Sequence, residues 1–219
     1  MKTPAKRLFS WLLAIAVALG PSLPSQAQEG PRSPAGSIFW HFVGRISVNV
    51  VDGTADIYGY FTTILGIPGS LFDGPPSETT ALFTFRAQGS TQPLPNNGDV
   101  GIALIEPGDI CVYFSAVPNH KWADPDSFSN GQLVATFARA KAAQVEVGPV
   151  IEEAHTATLV SSRDFNVNQV TLDFASLAPH GVTDNALGSA QPLSSSAFPR
   201  LTFPFAGYGF AVAGTEASQ

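Results

Sequence analysis

The stretch RISVNVVDGTADIYGYF, residues 45–61, alternates apolar and polar side chains on both sides of Asp52-Gly53. An Asp-Gly pair flanked by such alternation is the strongest short-range signal of a β-hairpin. With Asp52 and Gly53 as the two turn residues, the pattern predicts positive φ at both and places Val48 opposite Ile57. One face of this hairpin is then apolar and the other polar, and a slip by one residue would mix them.

Other alternating runs follow the hairpin along most of the chain and predict further strands. These runs are residues 80–86, 100–105, 110–115, 133–138, 140–147, 156–161, 170–174 and 201–212. Glu106-Pro107-Gly108-Asp109 predicts the turn of a second hairpin. Residues 179–196 are rich in Ser, Gly, Ala and Asn, which predicts a long loop.

The predicted fold class is all-β, with an antiparallel barrel of eight to ten strands. A two-sheet β-sandwich is the alternative, since short alternating strands suit both architectures. The barrel is favoured because the first and last strands are the long, aromatic-rich ones. Pairing them would remove two exposed sheet edges.

The chain begins with features typical of a secretory signal peptide. Lys2, Lys6 and Arg7 precede an apolar run that is too short to span a bilayer, and small residues follow it up to Ala27. We therefore predict a signal peptide at 1–27, a flexible lead-in at 28–36 and a single all-β domain at 37–219. The predicted location is secreted or periplasmic.

Charge and cysteine content narrow the range of partners. Loss of residues 1–27 would leave eight basic residues against the 17 acidic ones, a net charge of −9. Nucleic acid is therefore not an expected partner. No later run is long and apolar enough for a transmembrane helix. Cys111 is the single cysteine, so an internal disulfide is excluded, and its strand position predicts a buried, inert thiol.

The loop at 119–131 is the most site-like stretch, because it carries an imidazole, an indole and two carboxylates. We predict ligand binding by His120, Trp122, Asp124 and Asp126, since binding groups concentrate on loops held by a rigid scaffold. The alternative is a turn-rich connection with its indole packed on the core. Calcium is disfavoured because a calcium loop needs an oxygen ligand at its fifth position, where Phe128 stands, and a distal Glu.

A second loop, residues 64–72, combines Gly and Pro with five apolar side chains, including Leu71 and Phe72. Because such a loop is costly to leave in water, it must cover something. It is predicted either to plug one end of the core or to act as a lid that places Leu71 and Phe72 against a ligand.

No catalytic or cofactor motif stands out. The four histidines lack metal-ligand spacing, so neither a metal nor a cofactor is predicted. Most carboxylates, Glu152 and Glu153 among them, are assigned to solvated surface. The favoured function is a secreted barrel that binds a small, largely apolar ligand. The alternatives are a surface or matrix module that binds protein or sugar through its loops, and a cofactor-independent enzyme of the isomerase or cyclase type. A non-enzymatic role is favoured.

Overall fold

The computed structural model describes residues 33–213 and shows a closed antiparallel eight-stranded barrel with two extra strands. The predicted signal peptide lies outside the described residues. The strands are β1 (Ile38–Asn49), β2 (Thr54–Ile64), β3 (Phe83–Pro93), β4 (Val100–Ile105), β5 (Gly108–Phe114), β6 (Gln132–Arg139), β7 (Ala142–Val147), β8 (Val150–Ser162), β9 (Phe165–Val167), β10 (Val170–Leu172), β11 (Val182–Ser189) and β12 (Arg200–Ala211); helix α1 is Phe174–Leu177 and a 3-10 turn is Pro125–Ser129.

The main sheet has ten strands but only eight positions around the barrel. Strands β4 and β5 both pair with β3, at Thr91–Pro93 and Phe83–Ala87 respectively, so they occupy successive halves of one position. Strands β6 and β7 share the next position in the same way and both pair with β8. The ring continues through β11 and β12, while β9 and β10 form a separate hairpin.

Closure occurs between the first and last strands. Strand β1 pairs with β12 over most of its length, from Ile38 opposite Phe210 to Asn49 opposite Arg200. The barrel prediction is therefore confirmed, and the sandwich alternative is excluded. Closure removes the edges that these aromatic-rich strands would otherwise expose.

Glycines on the inner wall make room for large aromatic rings. A Cβ at Gly44 would clash with the ring of Phe205, and one at Gly59 would lie 2.7 Å from the ring of Phe85. The same relation joins Gly207 to Phe42 and Gly209 to Trp40. The missing side chains of these four glycines leave the space that the four rings occupy inside the barrel.

The two ends of the barrel differ. At one, which we call the closed end, residues 65–82 and 163–181 cover the barrel and bury Ile67, Leu71, Phe165, Phe174 and Leu177. At the other, the open end, the strands are joined by the connections 50–53, 94–99, 148–149 and 190–199. Residues 33–36 of the predicted lead-in lie at the closed end, where Ser33 donates to the Leu177 carbonyl at 3.1 Å. No helix within residues 33–213 has the length and apolar character needed to cross a membrane.

The predicted hairpin is present, and the same residues share each face as predicted. The predicted register, however, is wrong by two residues. Val48 lies opposite Ala55 rather than Ile57. The turn comprises residues 50–53, and only Gly53 has a positive φ, at 74°. The Asp52 carboxylate accepts hydrogen bonds from the N–H and hydroxyl groups of Thr54, at 2.9 and 2.7 Å. By binding its own backbone in this way, Asp52 stabilises a longer turn than the Asp-Gly pattern predicts.

Two other predictions of local structure were wrong. Glu106–Asp109 is not a hairpin turn; the chain passes straight through it from β4 to β5. Pro107 has no N–H to donate to a neighbouring strand. The register of pairing with β3 therefore differs by one residue between β4 and β5. Residues 179–196 are not one long loop, because Val182–Ser189 forms β11 between β8 and β12.

Candidate functional site

A cavity of about 300 Å³ occupies the half of the barrel toward the open end. Its walls are mainly apolar, and Trp40 and Phe61 form its floor next to the packed core. The apolar wall residues include Val48, Ile57, Phe85, Ile110, Ala186 and Phe205. This volume lies at the lower limit for sites that bind small molecules.

Three ionisable side chains interrupt the apolar wall on one side. Glu153 and His155 are two residues apart on β8 and therefore point to the same face. Asp184 on β11 is directly opposite His155. His155 Nδ1 lies 3.0 Å from Glu153 Oε1, and its Nε2 lies 3.4 Å from Asp184 Oδ2. Neither contact is aligned as a hydrogen bond, so the imidazole is held between two carboxylates chiefly by charge.

Trp40 fixes Asp184, the carboxylate of this cluster that lies deeper in the barrel. Its indole N–H donates to Asp184 Oδ1 at 2.7 Å. The bond passes over Gly209 on β12, which pairs with both Trp40 and Asp184. Any Cβ at Gly209 would clash with both bonded atoms, so the hydrogen bond requires glycine there. Because Asp184 is held in place, its contact with His155 also fixes the position of the imidazole.

Arg139, the last residue of β6, adds a buried cation to the cavity wall. It is 3% exposed, and Nη2 donates to the Glu106 carbonyl at 3.1 Å. Its guanidinium extends over Gly89 and Gly108, where a Cβ would lie 2.8 and 3.6 Å from Nη2. Among the described residues, no carboxylate forms an ion pair with it, and its Nε has no hydrogen-bond partner.

The cluster changes the proton affinity of its members. Burial by itself lowers the pKa of His155, but the contacts with Asp184 and Glu153 outweigh burial and raise that pKa to about 9. His155 is therefore an imidazolium at neutral pH. Burial lowers the pKa of Arg139, and the charge of Glu153 opposes this effect. An arginine nevertheless keeps its charge in proteins.

This arrangement permits two kinds of chemistry. An apolar cavity with a few polar groups on one wall can orient a small molecule. A cluster of two carboxylates and an imidazolium can also transfer protons, because a carboxylate can accept a proton and the imidazolium can donate one. Within residues 33–213, no group of three or more His, Cys, Asp or Glu side chains is arranged so that it could hold a metal ion.

The predicted loop site lies outside the barrel, on its wall. Trp122 packs on Phe128, with ring centroids 5.0 Å apart, and the Arg45 guanidinium carbon lies 4.4 Å from its ring. His120 is 1% exposed and its Nδ1 donates to the Ser127 carbonyl at 2.7 Å. Asp126 pairs with Arg86 on β3, and Asp124 is exposed. The structure thus brings these residues together in a packed connection, apart from the cavity.

Leu71 and Phe72 lie at the closed end. Leu71 is 4% exposed in the core, whereas Phe72 is half-buried against Tyr60 on the outer side of the barrel. The loop that contains them closes the barrel but does not cover the cavity, which opens at the other end. None of the six predicted site residues lines the cavity, and ligand binding by them stays a prediction.

The sequence reasoning missed the cavity residues. Glu153 was assigned to solvated surface and His155 was given no role, yet both line the cavity. The available signal was their spacing: two residues apart in a strand, they must share a face. The inner positions of β8 are Ile151, Glu153, His155, Ala157 and Leu159, and the outer face is equally mixed, so periodicity alone did not identify the inner face.

No protein-family model matches this chain, and neither a curated protein nor a solved structure is significantly similar to it. The cavity and its ionisable cluster are therefore the basis for assigning function.

Proposed function

We propose that this protein is an extracytoplasmic binder of a small, largely apolar ligand, which it holds in the open half of the barrel. The observation that carries the proposal is the cavity of about 300 Å³, which has apolar walls and a polar cluster at one side. Antiparallel barrels of this strand number can enclose one small ligand. The predicted signal peptide supports the location.

The packing of the two barrel ends supports the same proposal. The closed end is filled with buried aromatic and aliphatic side chains, among them Phe83, Phe137 and Phe174, each 0% exposed. At the open end, Val50 and Val51 are 47% and 71% exposed beside the cavity. A ligand that enters there would bury apolar surface, at about 25 cal/mol for each Å² removed from water.

The direct test is binding of a neutral apolar dye, N-phenylnaphthylamine, followed by its fluorescence. Ala186→Phe would fill the cavity from β11 and should abolish binding. The matched control is Ala154→Phe on β8, which adds the same ring at an exposed position. Both variants must unfold cooperatively for the comparison to count. Failure of the wild type to bind the dye, or equal binding by both variants, would contradict the proposal.

A second candidate function is a cofactor-independent enzyme that moves protons within one molecule. The observation that favours it is the buried Glu153–His155–Asp184 cluster, since a structural cavity needs no such charges. An isomerisation or cyclisation leaves the atoms of the substrate unchanged in number and needs no co-reactant. A positioned acid–base group contributes about 10²–10⁴-fold to such a step.

A model carbon acid, nitrobenzisoxazole, tests this second function. A base removes its ring C–H proton, the electron pair opens the N–O bond, and a coloured phenolate forms. Glu153→Gln should reduce the rate, whereas Glu152→Gln on the outer face should leave it unchanged. Equal rates in the wild type and the Glu153 variant would exclude Glu153 as an accessible base.

A further inference from the structure

Arg139 is a buried cation of the cavity wall whose hydrogen bonding is incomplete. A guanidinium has five N–H donors, but only Nη2 has a partner among the described residues, the Glu106 carbonyl. Nε is buried without a partner and the residue is 3% exposed, so water does not freely supply the missing acceptor. A buried donor without an acceptor costs free energy, which an acceptor on a bound ligand would recover.

The charges around Arg139 restrict what that acceptor can be. At the cavity floor, the carboxylates of Glu153 and Asp184 are balanced by the imidazolium of His155 and the guanidinium of Arg139. The remaining carboxylate of the wall, Glu146, is exposed at the mouth. An anionic ligand would pass Glu146 and add an uncompensated negative charge, which is costly in an interior. A cationic ligand would upset the balance in the other direction and offers no acceptor to Arg139.

We propose that the ligand is a neutral, largely apolar molecule with one acceptor oxygen, a carbonyl or a hydroxyl, that binds Arg139. This inference rests on the proposed function, because it names the class of ligand that the cavity takes. The apolar walls receive the hydrocarbon part, and the guanidinium donates to the oxygen. Register supports a common site: Arg139 is opposite Ala157, on the face of β8 that also carries His155 and Glu153.

The experiment is displacement of N-phenylnaphthylamine from the wild-type protein by five compounds of equal carbon number. They are heptane, methyl pentyl ketone, heptanol, heptanoate and heptylamine. The ketone and the alcohol should displace the dye at concentrations at least about tenfold lower than heptane. The reason is that a hydrogen bond to a charged group contributes more free energy than a tenfold difference in affinity requires. Because heptane is the most hydrophobic of the five, simple partition would give the opposite order.

In Arg139→Met, the ketone and heptane should displace the dye at similar concentrations. The matched control is Arg163→Met, which removes an exposed arginine and should leave the difference between the two compounds unchanged. If the Arg139 variant does not fold, the wild-type series still decides the question. This inference would be overturned if heptane displaced the dye as well as the ketone does. It would also be overturned if heptanoate or heptylamine displaced the dye better than both neutral oxygen compounds. Either result would leave the binding function intact. No dye binding by the wild type would overturn both.

Discussion

The protonation of His155 should make the stability of this protein depend on pH in the alkaline range. The side chain lies between Glu153 and Asp184, which raise its pKa to about 9 from 6.5. A group whose pKa is higher in the folded chain stabilises the fold below its unfolded pKa and loses that contribution as the pH rises through its folded pKa. The contribution is therefore complete below pH 6.5 and lost above about pH 9.

The size of the effect follows from the two pKa values. A tenfold change in proton affinity is worth about 1.4 kcal/mol, so the change from 6.5 to about 9 corresponds to about 3–4 kcal/mol at most. We treat this as an upper value because the Nε2–Oδ2 distance to Asp184 is 3.4 Å and neither contact is aligned as a hydrogen bond. Since a domain is commonly stable by only about 5–15 kcal/mol, the loss should be measurable.

The assay is urea unfolding of the wild type and of His155→Gln, each below pH 6.5 and above pH 9. The wild type should lose up to about 3–4 kcal/mol of unfolding free energy between the two conditions, and the variant much less. His41→Gln is the matched control, because His41 is exposed on the outer side of β1 and its substitution leaves the Glu153–His155–Asp184 cluster intact. Equal pH dependence in the wild type and His155→Gln would refute the reasoning.

Three other outcomes are expected. Leu71→Ala should reduce the unfolding free energy by about 2–5 kcal/mol, because it opens a void in the closed end, but dye titration should show unchanged binding. Gly209→Ala should reduce stability more than Gly188→Ala in urea unfolding, since its Cβ would displace the indole–carboxylate hydrogen bond, whereas the nearest atom at Gly188 is 3.4 Å away. Cys111 is half-buried on the outer wall, contrary to the sequence prediction, so iodoacetamide should label the native protein faster than it unfolds; labelling only at the unfolding rate would contradict this.

Much of the fold could be predicted because the signals were local. Asp52-Gly53 located the first hairpin, and the aromatic-rich terminal strands indicated closure. The predictions of local structure were wrong where a segment has the composition of a turn or loop but forms part of a strand. Pro107-Gly108 has the composition of a turn, yet pairing with β3 continues on both sides of it. Strand β11 reads VTDNALGS, which lacks the alternation of an isolated strand and forms because β8 and β12 provide partners on both edges.

The site was harder to predict because its members come from five strands. Glu153 and His155 can be placed on one face by spacing alone, but Asp184 lies in β11, a segment whose composition predicts a loop. Trp40 has the sequence context of a core residue, and its role depends on the absence of a side chain at Gly209. These relations exist only after the ring closes, since closure makes β11 and β12 neighbours of β8 and β1.

The ionisable cluster is better explained by binding or catalysis than by folding. Replacing a buried ion cluster with apolar side chains of similar size is often neutral or stabilising, because desolvation offsets the attraction between the charges. The pH dependence expected for His155 does not contradict this, since it compares two protonation states of the same cluster rather than the cluster with an apolar wall. The neighbouring inner positions Ile151, Ala157 and Ala186 show that apolar side chains fit these strands. A chain selected only to fold would have no need of Glu153, His155 and Asp184 there, and their presence beside a cavity supports the proposal that the cavity holds a small molecule.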